Sequence, residues 1–121
     1  MYEDVMRLFE GVKGSFALYL QLEKWICCFC PQAKVQPKKT QISFSDGCVF
    51  AVASPPMRGG LGLTLTLCLP EKLSSKRILS AVEPYPGRWT HHIIIQREDE
   101  LDEELTRWLQ SAIAFARIRR R

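Results

Sequence analysis

The chain has 121 residues, of which 46% are hydrophobic and 25% charged, and a formal net charge of +4. This size and mixture are those of one globular domain, and they exclude disordered, collagenous and repeat proteins. Its apolar runs fall short of the roughly 18 to 20 residues of a membrane-spanning helix, so no membrane partner is expected. The N-terminus has no signal-peptide pattern, which indicates the cytoplasm. We expect a single domain over residues 1–121.

Five cysteines are present, and three of them, Cys27, Cys28 and Cys30, lie within one helical turn. An odd, clustered set is not a disulfide framework, so we expect reduced thiols packed as small apolar side chains. A zinc site would need a second ligand pair at a matching spacing, and none is present. The sequence therefore predicts no metal and no cofactor, and it assigns no role to the cysteine cluster.

Residues 1–31 carry helical periodicity. Apolar residues every three or four positions predict a short first helix up to Val12, after which Ser15 can cap a second helix that Pro31 ends. The apolar stripe of this second helix consists of Leu18, Leu22, Trp25, Ile26 and Phe29. It indicates one face packed on a core.

Residues 34–97 change to a period of two, which predicts mainly antiparallel sheet. A three-residue loop, Ser45 to Gly47, with a left-handed glycine would join two strands. It would place on one face Ile42, Phe44, Cys48, Phe50 and Val52. A further strand, Leu61 to Leu69, points its leucines to one side.

After Pro70 the pattern predicts a short helix from about Ser75 to Val82, capped by Ser74, and then a strand from Trp89 to Arg97. Branched residues on both faces of that strand, at Ile93 to Ile95, indicate a central or well-covered position. A C-terminal helix over 98–117 and a basic tail at 118–121 complete the chain. The predicted fold is a two-layer α+β domain, an antiparallel sheet of four or five strands with N-terminal and C-terminal helices on one face.

Basic charge is concentrated in residues 34–97, which hold nine basic and three acidic residues. Two predicted strands begin with polar groups that could meet at one end of the sheet. These candidate ligand-binding residues are Lys38, Lys39, Thr40, Arg88, Trp89, His91 and His92. Cationic groups bind anionic oxygens and an indole stacks on flat ligands, whereas adjacent histidines on a strand face opposite sides. We therefore expect one histidine to be packed or hydrogen bonded, and no shared metal.

Three functions are compatible with these residues. The first is a non-catalytic binding or accessory module for an anionic ligand or macromolecular partner. The second is nucleic-acid (DNA) binding, with Trp89 or Tyr85 stacking on bases. Its phosphate contacts would come from Arg117, Arg119, Arg120 and Arg121. The third is a small enzyme built on one histidine, although no catalytic residue is identified because no phosphate loop or nucleophile motif is present. A homodimer is compatible with all three.

Four segments together resemble a known family. They are Lys38 to Phe44, Val49 to Ala51, Gly87 to His92, and Leu101 to Leu105 with Trp108, Leu109 and Ala112. Their order is similar to that in an uncharacterised bacterial domain family. Its members occur alone or at the C-terminus of proteins described as predicted transport proteins. The resemblance covers roughly residues 23–116 and implies a fold rather than an activity. A more distant similarity, to MmcQ/YjbR-like domains, implies DNA binding by analogy alone.

Overall fold

The computed structural model describes residues 2–12, 14–56 and 60–119. Three α-helices are described: α1 (Glu3–Leu8), α2 (Ser15–Phe29) and α3 (Glu103–Arg119), with a 3-10 turn at Glu98–Glu100 before α3. The strands are β1 (Lys34–Pro37), β2 (Ile42–Asp46), β3 (Cys48–Ser54), β4 (Leu63–Leu69), β5 (Ile78–Tyr85) and β6 (Arg88–Ile95). No helix in the described ranges is long and apolar enough to cross a membrane.

The six strands form one antiparallel sheet in the order β1-β2-β3-β4-β6-β5. β6 lies between β4 and β5, which confirms the central position indicated by its three successive isoleucines. The sheet has one strand more than the upper limit of the prediction. The α+β class and the antiparallel pairing are confirmed.

The helices pack on one face of the sheet and bury its apolar side chains. α3 crosses β2, β3 and β4, and α2 packs beside it against β4. Between the layers lie fully buried side chains from both, among them Tyr19, Leu22, Phe44, Leu65 and Leu109. Burial of this apolar surface is the main favourable term in folding, so it fixes which face of each strand turns inward.

The predicted helix from Ser75 to Val82 is wrong. Residues from Ile78 onward form β5, which pairs with β6 through Ala81 opposite His91 and Val82 opposite Thr90. A helix of eight residues has a costly nucleus and little cooperativity. The strand instead supplies hydrogen-bond partners to the edge of β6, which would otherwise be left unpaired.

The loop between β2 and β3 was predicted with the correct glycine but with a wrong register beyond it. Gly47 is left-handed, with φ of 84°. A bulge near Phe44 and Phe50 then shifts the pairing, so that Ala51 and Ala53 are buried while Val52 faces the other side. The extra residue at a bulge shifts the in–out alternation of side chains by one position, so the residues beyond it face the opposite side of the sheet from the predicted one.

The leucine strand starts later than predicted. Leu61 is 64% exposed and precedes β4, whereas Leu63 to Leu69 alternate inward as expected. Gly62 between them has φ of 79°, a conformation that ends the extended run. The buried hydroxyl of Ser15, predicted to cap α2, donates instead to the Gly62 carbonyl, and Gly14 occupies the cap position.

The C-terminal helix also starts later than predicted, because the acidic residues before it form a cap. Asp102 Oδ1 accepts the Leu105 N–H at 3.0 Å. The Arg77 guanidinium lies 2.8 Å from Asp102 and 3.2 Å from Glu104, and it donates to the Glu100 carbonyl at 2.6 Å. These bonds join the loop before β5 to the start of α3. They give the acidic cluster a structural role and hold the pKa of Asp102 below its usual value, chiefly through Arg77.

Candidate functional site

The structure separates the residues expected to meet at one end of the sheet. The β1–β2 turn, with Lys38, Lys39 and Thr40, lies at the end where β4 begins and β6 finishes. Arg88 and Trp89 begin β6 at the opposite end. Since neighbouring antiparallel strands alternate in direction, the starts of β2 and β6 fall at opposite ends.

The two histidines lie on opposite faces, as the strand period requires. His91 is fully buried on the helix-covered face, where its Nε2 accepts the Leu73 N–H at 2.9 Å. Burial lowers its pKa, so the ring is held neutral. His92 is half-buried on the other face, and its Nδ1 lies 3.0 Å from the Thr66 hydroxyl. Both rings are therefore engaged in hydrogen bonds within the fold.

Lys38 and Lys39 border an exposed cleft of about 510 Å³ beside α1. Arg7 also lines it, which no sequence pattern had indicated. Arg7 forms a 3.7 Å ion pair with Asp4, and both side chains are more than 70% exposed. A cleft with such exposed charges and an acidic wall holds an anion weakly, because water screens each contact.

A second depression, which we call the open-face groove, lies on the sheet face opposite the described helices α2 and α3. It has a volume of about 240 Å³, and Val52, Thr66 and Cys68 contribute to its lining. Arg88 and Arg119 also border it, from β6 and from the end of α3. The floor is thus apolar or weakly polar, and two cations from distant parts of the chain stand at its margin.

Each cation of the open-face groove is positioned by local contacts. The Arg88 guanidinium carbon lies 5.4 Å from the centre of the Tyr85 ring, so the β5–β6 hairpin holds it. Arg119 donates from Nη2 to the Val49 carbonyl at 2.8 Å and lies 4.7 Å from the Phe115 ring centre. Its Nε is buried and has no hydrogen-bond partner in the described part of the chain. The Val49 carbonyl and the Phe115 ring therefore hold the Arg119 guanidinium in an ordered position.

The other predicted residues lie elsewhere. Trp89 turns to the helix-covered side of β6, where the Lys72 ammonium lies 5.7 Å from its ring centre. Arg117 is held by Asp46, with Nε 2.7 Å from Oδ2. Arg120 and Arg121 lie outside the described residues. Of the two described arginines proposed for nucleic-acid contact, Arg119 lines the open-face groove together with Arg88, and Arg117 does not.

The five cysteines form no disulfide, and no described group of three histidine, cysteine or acidic side chains could hold a metal ion. Cys30 is buried, with its thiol 3.9 Å from Asp46. Burial is the main cause that raises the pKa of both Cys27 and Cys30. A raised pKa leaves less thiolate at neutral pH and makes these thiols poor nucleophiles.

A family comparison gives the chain its classification. A family described as a domain of unknown function, DUF5655, matches residues 6–116. The chain belongs to this family. The DUF5655 match covers the sheet and all of α2, so the resemblance noted from the sequence is confirmed at the level of an uncharacterised domain. No curated protein and no solved structure matches the chain. The distant similarity to MmcQ/YjbR-like domains stays a prediction.

Proposed function

We propose that this DUF5655 domain is a non-catalytic binding module that takes an anionic ligand in the open-face groove. The observation that carries the proposal is the placement of Arg88 and Arg119 on one apolar depression of the helix-free face. Arginine is suited to carboxylate and phosphate groups because its planar fork donates parallel hydrogen bonds. Two such forks beside one depression favour an anion over a neutral ligand.

The shape of the groove narrows the class of ligand. Its floor is a sheet surface of short side chains such as Thr66 and Cys68, and the exposed Tyr85 stands at its rim. A flat apolar body would lie against that floor while its anionic group reaches an arginine. Aryl phosphates, aryl carboxylates and nucleotides have this combination. The hydroxyls of Thr66 and Thr90 on the same lining are engaged within the sheet, since Thr66 lies 3.0 Å from His92 Nδ1 and Thr90 donates to the Val82 carbonyl at 3.3 Å.

The surroundings of the histidines favour binding over catalysis. A general base must reach the proton that it removes, and it must be free to change its protonation state. His91 is enclosed between the layers, and the Nδ1 of His92 already faces Thr66. Neither ring is among the residues that line the open-face groove.

Binding can be tested by following amide NMR spectra and melting temperature during titration with phenyl phosphate, benzoate, AMP and inorganic phosphate. We expect saturable shifts at Thr66, Cys68 and Thr90 for at least one aromatic anion. Arg88→Gln combined with Arg119→Gln should weaken binding about tenfold or more, the loss expected for charge-assisted hydrogen bonds. The matched control is Lys38→Gln with Lys39→Gln, which removes the same charge at the other end of the sheet.

The control variant separates two placements of the ligand. Binding that survives loss of Lys38 and Lys39 but not of Arg88 and Arg119 supports the open-face groove. The reverse result would move the anion site to the cleft beside α1. If none of the anions produces a saturable shift in the amide spectrum, the proposal is refuted.

Single-stranded nucleic acid is the second candidate, favoured by Tyr85, which is 62% exposed beside Arg88. Bases stack on such rings across a sheet face, and phosphates pair with nearby arginines. A labelled oligonucleotide should then bind with an affinity that falls steeply with salt. Binding of AMP without measurable binding of an oligonucleotide would eliminate this candidate.

A further inference from the structure

The strand β5 forms one edge of the sheet, and its outer side pairs with none of the described strands. β5 is bonded to β6 alone, whereas the four inner strands are paired on both sides. The backbone N–H and C=O groups on the outer side of an edge strand remain available to another strand. A second chain can therefore add to the sheet along β5.

The two edges of the sheet differ in how well they are protected. At the other edge, β1 has four residues, begins at Lys34 and ends at Pro37. A short strand that carries a lysine and a proline is a poor template for pairing. β5 has eight residues, and on it Leu79 is 53% exposed and Val82 is 51% exposed. Large apolar side chains on a long edge strand indicate that this edge, and not β1, meets another chain.

The pairing of β5 with β6 limits the length of edge that is available. Its register is regular from Ser80 to Val82 and shifts on both sides of this segment, after Ile78 and before Tyr85. Pro84 also removes one backbone donor. Because register shifts and proline restrict the pairing of an edge strand, the contact is short. A short contact buries little surface, so we expect a weak association.

The charges at the two ends of β5 identify the chain that pairs with it. Lys76 precedes the strand, Glu83 lies near its end, and both are exposed. Glu83 Oε2 accepts the Gly87 N–H at 3.0 Å, which orients the carboxylate on the β5–β6 hairpin. The two charges are about 20 Å apart along an extended chain, too far to pair within one copy.

A second copy of the same strand is complementary to this charge pattern. In an antiparallel pair, the start of one β5 lies beside the end of the other, so each Lys76 lies near Glu83 of the second copy. A parallel arrangement would bring like charges together instead. Exposed ion pairs add little affinity, but like charges across a strand pair are unfavourable, so the pattern selects the antiparallel direction.

We propose that this domain forms a two-fold homodimer in which β5 pairs antiparallel with β5 of a second copy. The backbone from Ser80 to Val82 supplies the new ladder hydrogen bonds, and the exposed surface of Leu79 and Val82 decreases. The two-fold axis is perpendicular to the sheet, so the two sheets continue as one. The open-face grooves of the two copies then lie on the same side of the joined sheet.

The test is sedimentation velocity of the full chain from about 5 to 500 µM, where we expect a dimer Kd on the order of 10–100 µM. Lys76→Glu and Glu83→Lys each place like charges across the contact. Either variant alone should raise the Kd about fivefold or more. An equimolar mixture of the two restores opposite charges at both positions. The mixture should therefore associate with nearly the wild-type Kd.

Further variants separate β5 from other surfaces. Val82→Arg replaces an apolar group of the contact by a cation and should raise the Kd at least about tenfold. Its matched control is Leu61→Arg, the same kind of change at a leucine that is 64% exposed and precedes β4. Gln36→Lys adds a charge to the β1 edge. Both controls should dimerise like the wild type, and amide NMR spectra confirm that each variant is folded.

Three results would overturn the proposal. The first is a wild-type chain that stays monomeric up to about 500 µM. The second is a mixture of Lys76→Glu and Glu83→Lys that associates no better than either variant alone. The third is an association that Gln36→Lys weakens and Val82→Arg does not, which would place the contact at β1. The dimer is independent of the anion site, so a chain with Arg88→Gln and Arg119→Gln should dimerise normally.

Discussion

The two faces of this sheet, built from the same strands, differ in nearly every physical respect. On the face under the helices, Leu63, Leu65 and Leu67 have no exposed surface. On the other face, the neighbouring Thr66 and Cys68 are half-buried and border a groove. Packing against the helices determines which residue types the covered face can carry. The open face is under no such constraint, so its residue types are free to vary. A function is therefore to be sought on the second face.

β6 shows the same contrast within two residues. His91, on the covered face, is neutral and enclosed, with its Nε2 bonded to the backbone of Leu73. His92 lies on the open face, with its Nδ1 3.0 Å from the Thr66 hydroxyl across the strand pair. The first histidine thus behaves as a polar part of the core. The second belongs to the surface on which we place the ligand.

The largest expected effect comes from truncating neighbouring residues of β4. Leu67→Ala should lower the free energy of unfolding by about 2–5 kcal/mol, because it removes buried methyl groups and leaves a cavity. Cys68→Ala, one position further and on the open face, should cost no more than about 1 kcal/mol. Urea denaturation of both variants measures the difference. A large cost at Cys68 would mean that the open face is covered in solution.

A second pair of substitutions compares two glycines with nearly the same backbone conformation. Gly62 has φ of 79° and Gly87 has φ of 77°. A Cβ at Gly62 would lie 2.0 Å from the Ile95 carbonyl oxygen, whereas a Cβ at Gly87 would meet nothing within 4 Å. Gly62→Ala should therefore cost about 2–4 kcal/mol, and Gly87→Ala about 1–2 kcal/mol from the left-handed conformation alone.

Melting temperatures of the two glycine variants give the result directly. Equal losses would contradict the close approach of Gly62 to β6. They would show instead that backbone conformation alone sets both costs.

The sequence predicted the covered face well because local periodicity determines it. Alternating leucines in β4 and the stripe that includes Leu105 and Leu109 in α3 need no knowledge of strand order. Errors came where long-range pairing overrides local pattern. Residues from Ile78 onward have a helical pattern, but they form a strand because β6 requires a pairing partner. The bulge at Phe50 depends on how β2 pairs with β3, which the local pattern does not show.

The predicted site failed to converge for a topological reason. Lys39 precedes β2 and Arg88 begins β6. Whether the starts of two strands lie at the same end of a sheet depends on the order of the strands in that sheet. Arg119 reaches the groove near Arg88 only because α3 returns across the sheet.

The smallest effect expected is a pH dependence of stability that originates at His91. Because burial lowers the pKa of His91, the unfolded chain binds more protons below about pH 6.5, and stability falls as the pH decreases through this range. His91→Gln keeps an acceptor near the Leu73 amide and removes the titration. Its stability should therefore change less between pH 7 and about pH 5 than that of the wild type.

Denaturation curves of the wild type and of His91→Gln at several pH values measure the effect, since each unit by which folding lowers a pKa corresponds to about 1.4 kcal/mol. The wild type should lose more stability than His91→Gln as the pH falls. If the two lose stability equally, the acid sensitivity arises from groups other than His91, and the contrast between the two faces of β6 is one of packing alone.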